Sequence, residues 1–543
     1  MSEISEKLAP LPLGSVSFAT LRAAGEIYVD KTDRVARLAE VRRKLFMARP
    51  RRFGKSLLLT TFKSLFQDGL RDFAGLKIAS TWHDKTYPVV HLDFSKFKEF
   101  SSEAEFRRSI ERHLAARYGV IGFHYDPDAF CDIYEQLQIW LEAQPPSFYV
   151  LLIDEYDAPL SEHLDDPEVF RKIRRILASF YATVKTTEGS LRFLFMTGIT
   201  KYSQTGIFSE LNITDDRSLS SDYATLFGYT DEEIRSSFGG YLRRAARVLS
   251  NDTKQWTVDD VLDEMRRNYD GYCFDGALKE HVYNPWSVMK FLDAPDVGFD
   301  NYWIKSGGLT TGLVKYFKTH ELTNPEDFQV EKRLPKAVLE ASTTEESISE
   351  VALLTQMGYL TLKRSEAGDF YVGYPNEEVA SAMASLYAEH LLNGGSLSKA
   401  GAGGIGQLLA HGSVEEVVAD FNKLFASLDY LRYPVRDEYT CRGYLYAMLK
   451  GAQLQVGIEV HNAFGRSDLE LDAGRYHWVF ELKFLKKGTD LAVAPKLLEA
   501  AADQIRTKHY GEQTACPEVI RVALVFAEES RQFIRWQSLP MTA

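Results

Sequence analysis

Up to about residue 234, short and continuously apolar runs alternate with stretches of helical period. The runs are Lys44 to Ala48, Pro88 to Asp93, Phe148 to Asp154 and Leu191 to Thr197. Unbroken apolar strands between amphipathic helices predict a parallel sheet covered on both faces, since such strands have no polar side to show to water. From residue 235 to residue 393 the strand signal gives way to helical segments such as Val258 to Asn268. Near the end of that stretch, Val351 to Leu362 followed by Phe370 to Tyr374 predicts a helix running into a two-stranded hairpin, the outline of a winged helix. Gly394-Gly395 and the glycine-rich 401–406 predict a linker, and Val414 to Leu428 a connecting helix. Strand patterns then return over 455–460, 468–471, 477–482 and 519–526. The expected division is an N-terminal α/β domain (1–234), a helical and winged-helix-like region (235–393), a linker with its helix (394–428) and a second α/β domain (429–543).

Two places in this pattern carry chemistry. The apolar run ending at Ala48 is followed by Arg49-Pro-Arg51-Arg52-Phe-Gly54-Lys55-Ser56 and then by a helical stretch. Strand, loop and helix in that order form a phosphate-binding loop in outline. Backbone N–H groups at the helix start face an anion, Lys55 reaches the outer phosphates and Ser56 binds Mg²⁺. Arg49 stands where the usual pattern has glycine. The buried run Val150 to Ile153 ends in Asp154-Glu155, placing one carboxylate to hold Mg²⁺ through water and a second to polarise an attacking water. A third run ends at Thr197-Gly-Ile-Thr200-Lys201, where a γ-phosphate sensor is expected in ATPases of this kind. Ordinary loop residues give the same pattern.

The second place is Asp468, followed by a hairpin-like stretch and Glu481-Leu482-Lys483. Side chains two apart on a strand point the same way, so Glu481 and Lys483 converge. Two carboxylates and a lysine on adjacent strands can hold a divalent ion, orient a water and neutralise a phosphate. An isolated Glu-x-Lys is more often the exposed face of a half-buried strand. The ordered set distinguishes this one.

Composition narrows these readings. A chain of 543 residues, 45% apolar and 13% aromatic, is too long for one core and well suited to several packed domains. A net charge of −12 opposes coating of nucleic acid by bulk electrostatics, so any basic groove has to be local. Cys131, Cys273, Cys441 and Cys516 form no Cys-x-x-Cys pair and are expected as buried thiols. No run approaches the roughly 20 apolar residues of a membrane span, so a cytoplasmic protein without a membrane partner is expected.

Tyr28-Val-Asp-Lys-Thr32, Arg49 to Ser56, Ile153-Asp-Glu-Tyr-Asp157, Thr197-Gly-Ile-Thr200, Tyr283-Asn-Pro-Trp286 and Gly373-Tyr-Pro-Asn-Glu-Glu-Val379 together resemble the AAA-ATPase-like family that bacteria carry fused to a PD-(D/E)XK nuclease domain. The family's own loop has the departure at Arg49. The resemblance implies a P-loop NTPase core of STAND or AAA type and a C-terminal restriction-endonuclease-like domain. ATP and Mg²⁺ or Mn²⁺ are the implied cofactors, with nucleic acid, DNA above all, as substrate, and a homo-oligomer is compatible with it. By position, Tyr28 to Thr32 are expected to contact adenine, to brace the loop or simply to pack in the core, and Arg51 and Arg52 to face phosphates or a neighbouring subunit.

In the C-terminal domain the resemblance adds Glu438, in the first helix, to complete the shell of Asp468 and Glu481 or bind a second ion. It aims Gln504 and Lys508 at the site and the DNA backbone. The Leu482 carbonyl is a further ligand, Lys483 orients or deprotonates the attacking water, and Arg466 is a phosphate contact. Glu459 is either an outer-shell carboxylate or a surface group, and His461 is structural or surface. The expected activity is nucleotide-controlled nucleic-acid cleavage, in defence against foreign DNA. The alternative is a signalling or scaffold ATPase whose last domain binds nucleic acid without cutting it.

Overall fold

The computed structural model describes residues 8–40, 44–97, 100, 102–164, 166–201, 214–252, 254–308, 323–340, 349–391, 404–512, 514 and 516–539. The chain forms two compact units, one of residues 1–320 with 331–378, the other of residues 321–330 with 379–543.

The first unit is built on a parallel sheet of β1 (Lys44–Ala48), β2 (Val89–Asp93), β3 (Tyr149–Asp154), β4 (Leu191–Gly198) and the short β5 (Asp215–Asp216), in the order β2-β3-β4-β1-β5. Every residue of β3 and β4 is buried, which is why these segments are apolar without alternation. The helices Lys55–Asp68, Glu103–Gly119, Ile133–Glu142 and Pro167–Thr186 accompany the sheet. Leu151, Ile153, Leu194 and Met196 share one core with Phe170, Leu177 and Phe180 of the last of these helices. Helices Asp231–Leu249, Val258–Tyr269 and Pro285–Asp293 hold a second core, including Phe238, Leu262 and Phe291. Helix Glu350–Met357 runs into the hairpin β7 (Thr361–Glu366) and β8 (Asp369–Gly373), and β6 (Lys332–Pro335) adds an outer strand to β8.

The second unit has a mixed sheet ordered β13-β12-β11-β10-β9. Strands β9 (Val456–His461), β10 (Arg466–Ala473) and β11 (Tyr476–Leu485) are antiparallel. Helix Ala494–Thr507 then crosses over to β12 (Glu518–Ala527), parallel to β11, and β13 (Gln532–Leu539) closes the edge. Alternation along β11 sends Trp478, Phe480 and Leu482 into a core with helices Ile405–His411, Val414–Ser427 and Glu438–Gly451. Val479 points to the opposite face, onto Ala501, Ala502 and Ile505 of the crossover helix. Glu481 and Lys483 continue that second face.

Gly394, Gly395 and 401–403 of the expected linker lie outside the described residues. Gly404 is the N-cap of helix Ile405–His411, which takes in Ile405 and Gly406. The cysteines differ from expectation: Cys273 and Cys441 are buried, whereas Cys131 and Cys516 are partly exposed, and all four are free thiols. Among the described residues no helix is long and apolar enough to cross a membrane.

Candidate functional site

In the first unit, β1 delivers the chain into a loop whose helix begins at Lys55 with Gly54 as N-cap. Gly54 has φ +88°, a left-handed conformation that favours glycine and turns the following N–H groups toward the loop's mouth. Arg49 does not line that mouth. Its guanidinium is buried between the rings of Phe227 and Phe274 and donates to the carbonyls of Ala48 and Ser218, both at 2.8 Å. Lys55 Nζ donates to the Arg49 and Pro50 carbonyls, each at 3.0 Å. Burial pulls its pKa below the usual lysine value, against the opposing charges of Glu155, Asp154 and Asp157.

Ser56 Oγ lies 2.6 Å from Asp154 Oδ2, so the two expected Mg²⁺ contacts meet across the end of β3. Burial raises the pKa of Asp154 to about 6 despite that hydrogen bond and the nearby Lys55. Glu155 follows with φ +47°. Thr200 is placed differently from a sensor open to a ligand, because its hydroxyl and N–H donate to Asp157 Oδ2 at 2.7 and 2.8 Å. Lys201 pairs with Asp216 at 2.8 Å. Arg51 and Arg52 donate to the carbonyls of Gly307 and Ser306, and Arg52 stacks over Trp286 at 4.4 Å. These two side chains hold the loop to the segment after Pro285–Asp293.

Beside the loop lies a cavity of about 90 Å³, lined by Tyr28, Phe53, Gly54, Leu57, Leu58 and Tyr229 among others. The expectation for Tyr28 to Thr32 splits along the motif. Tyr28, Val29 and Lys31 line the cavity, and the Lys31 ammonium is held there by the Thr225 and Gly228 carbonyls and by Glu233. Asp30 accepts from the N–H and hydroxyl of Thr32 at the start of helix Thr32–Glu40.

In the second unit, Leu469 pairs with Phe480, which sets Asp468 beside Glu481. Asp468 Oδ2 accepts from the Leu482 N–H at 2.8 Å. Lys483 Nζ donates to Glu481 Oε1 at 3.0 Å and to the Leu482 carbonyl at 2.9 Å, and lies 3.9 Å from Glu438 Oε2. Glu438, in the first turn of its helix, thus joins the cluster. Burial works against the charge on Lys483, but Glu481, Glu438 and Asp468 outweigh it and lift its pKa above the lysine value.

Glu481 is 1% exposed, and its Oε2 is buried with no hydrogen-bond partner. Burial, aided by the charge of Asp468, raises its pKa from 4.5 to about 7. Among the described residues no three His, Cys, Asp or Glu side chains are gathered closely enough to hold a metal ion by themselves. The donor set nevertheless fits Mg²⁺ or Mn²⁺: one or two carboxylates suffice when water completes the shell, and the Glu481 Oε2 has no hydrogen bond that a cation would have to displace. Gln504 donates to the Tyr510 hydroxyl at 3.2 Å, and Lys508 is the C-cap of the same helix. Arg466 pairs with Glu459 at 2.7 Å. His461 is exposed.

Residues 12–208 match the family described as "Predicted AAA-ATPase", and residues 436–536 match the PD-(D/E)XK nuclease superfamily. The chain joins an AAA-ATPase-like domain to a PD-(D/E)XK nuclease domain. It is also 28% identical over 537 residues to an uncharacterized protein in the vnfD 5' region of Azotobacter chroococcum mcd 1, covering 96% of this chain and 98% of that one.

Sequence reasoning gave no role to Asp157 in the AAA-ATPase-like domain or to Arg442 in the PD-(D/E)XK domain. Asp157 ties the ends of β3 and β4 together by accepting from Ile199 and Thr200, and the available signal was the second aspartate of Asp154-Glu-Tyr-Asp157. Gly198 permits this closeness, since a Cβ there would lie 2.3 Å from Asp157 Oδ1 and 2.7 Å from the Tyr156 ring. Gly198→Ala is therefore expected to destabilise the AAA-ATPase-like domain by about 1–3 kcal/mol. A thermal melt equal to wild type would contradict this. Arg442 lies one turn after Glu438 on the same helix face, and that i, i+4 spacing was its only signal.

Proposed function

We propose that the N-terminal domain binds and hydrolyses ATP and that the C-terminal domain cleaves phosphodiester bonds of DNA with Mg²⁺ or Mn²⁺, under the control of nucleotide state. The nuclease reading is carried by the buried, unpartnered Oε2 of Glu481, set beside Asp468 and Lys483 in a domain of the PD-(D/E)XK superfamily. Asp468 and Glu481 would hold the ion, which would supply Lewis acidity toward the scissile phosphate and a water of lowered pKa.

The residues of the chain have separable tasks in this reading. The Leu482 N–H fixes one oxygen of Asp468, so the ligand is oriented before metal arrives. The raised pKa of Lys483 keeps it an ammonium at neutral pH. It therefore neutralises the phosphate and orients the attacking water, rather than deprotonating it. Glu438 is close enough to Lys483 to hold that ammonium between two carboxylates. Gln504, through Tyr510, stiffens the wall of the site.

In the ATPase half, Ser56 and Asp154 would hold the nucleotide's Mg²⁺, and Lys55 would exchange its two loop carbonyls for phosphate oxygens. Glu155 orients the hydrolytic water, and the cavity at Tyr28 accepts the adenine. The Ser56–Asp154 contact and the Gly54 N-cap support this reading.

The test is incubation of the purified protein with plasmid and linear DNA, with Mg²⁺ or Mn²⁺ and with or without ATP. Wild type is expected to cut in a metal-dependent way, and Asp468→Ala to cut about 10²–10³-fold more slowly. Equal rates would remove the site assignment. No cleavage by wild type under any of these conditions would leave a domain that binds nucleic acid without cutting it.

A further inference from the structure

Residues 323–330 belong to the nuclease unit, although the described chain on either side of them belongs to the first unit. Of these, Pro325–Gln329 forms a single 3₁₀ turn capped by Asn324. The turn lies on helix Glu438–Gly451, where Gln329 donates to the Tyr446 hydroxyl. Gly443 makes the approach possible: a Cβ there would sit 1.9 Å from Asn324 Nδ2.

The turn delivers Glu326, 3% exposed, to Arg442. Glu326 Oε1 accepts from both Nε, at 2.8 Å, and Nη2 of the guanidinium. That grip engages one edge of the fork. The remaining nitrogen, Nη1, faces Glu459 Oε1 at 3.3 Å and Asp468 Oδ1 at 3.4 Å. Asp468 therefore has one oxygen on the Leu482 N–H and the other beside a cation whose orientation is set from far upstream in the chain.

Guanidinium and carboxylate prefer two parallel hydrogen bonds, and an unrestrained Arg442 would offer Asp468 that geometry. Both carboxylate edges would then be occupied and an uncompensated positive charge would stand where a divalent ion has to bind. Glu326 prevents this by neutralising Arg442 and holding its Nε and Nη2 away. We propose that Glu326 is a positioning residue for the metal ligand Asp468, acting through Arg442 to keep that carboxylate available to the ion. The proposal rests on the metal-dependent nuclease reading above. It also means that the segment 323–330, which the sequence places amid the middle region, completes the nuclease site.

Mn²⁺ binding to the full-length protein, followed by calorimetry without nucleotide or DNA, separates the two ideas. Asp468→Ala reports how much of the binding belongs to this site. Glu326→Gln is expected to raise the dissociation constant for Mn²⁺ about 10-fold, the effect typical of an outer-shell partner. Glu326→Gln combined with Arg442→Gln removes both charges of the buried pair and is expected to recover most of the lost affinity. Thermal melts of each variant accompany the binding curves. Glu326→Gln binding Mn²⁺ as wild type does would overturn the proposal, and so would a double variant that binds as weakly as Glu326→Gln, because simple damage to packing would not be relieved by a second substitution. If Asp468→Ala leaves Mn²⁺ binding unchanged, the nuclease reading itself fails and takes this one with it.

Discussion

Glu481→Gln is expected to abolish metal-dependent cleavage and, at pH 8, to leave the protein more stable than wild type. The two effects share one cause. Glu481 is a carboxylate placed in a nearly closed site beside Asp468, with one oxygen on Lys483 and the other on nothing in the protein. Burying that charge costs more stability than the ion pair with Lys483 returns, so the net effect without a divalent cation is unfavourable. The glutamine amide keeps the shape, gives up the charge and removes the ligand. Loss of cleavage by about 10³-fold is in keeping with the removal of a group that acts on the transition-state charge.

The pH dependence has a defined sign. The folded protein holds the Glu481 proton more tightly than the unfolded chain, whose carboxyl titrates at the ordinary 4.5, whereas the folded value is about 7. Below pH 4.5 both forms are protonated and the group contributes nothing. Between 4.5 and about 7 the unfolded chain ionises first, so wild type loses stability as pH rises through that window. Above it the loss is complete. Melting temperatures of wild type and Glu481→Gln without metal should therefore coincide near pH 4.5 and separate by pH 8, by roughly 2–4 °C for each kcal/mol. Mn²⁺ affinity of wild type should rise across the same interval, because the ion competes with that proton. A melting difference that does not change with pH would show that Glu481 ionises freely and carries no buried-charge penalty.

Lys55→Ala is expected to weaken ATP binding by about 10–100-fold, the loss of one or two charge-assisted hydrogen bonds to phosphate. Lys55 is 7% exposed and satisfied by the Arg49 and Pro50 carbonyls, which are weaker partners for an ammonium than phosphate oxygens. Titration with a fluorescent ATP analogue measures the effect. Unchanged affinity would remove the phosphate-loop assignment, since no other cation of the loop is turned to the same place. Arg49 is sealed between Phe227 and Phe274, and Arg51 and Arg52 are engaged by the 306–307 carbonyls.

Some of this was legible in the chain because it is local. A strand, a tight loop and a helix follow one another over 44–68, and apolar run length, Gly54 and the helical period each mark their own position. The same holds for β11, where a period of two forces Glu481 and Lys483 onto one face whatever packs around them. The edge strand β13 escaped because its burial is intermittent, with exposed Gln532, Arg535 and Trp536 among few buried positions. Other features are decided by residues distant in sequence. Nothing in the local pattern says that Thr200 will be spent on Asp157, that Arg51 and Arg52 will reach 306–307, or that Glu326 will leave its neighbours to hold Arg442. Periodicity and backbone sterics act within a few residues, which is why most strands and helices, and the charged groups that share a face, can be read along the chain. Which of those groups can meet a ligand depends instead on hydrogen bonds and charges that the fold gathers from distant segments.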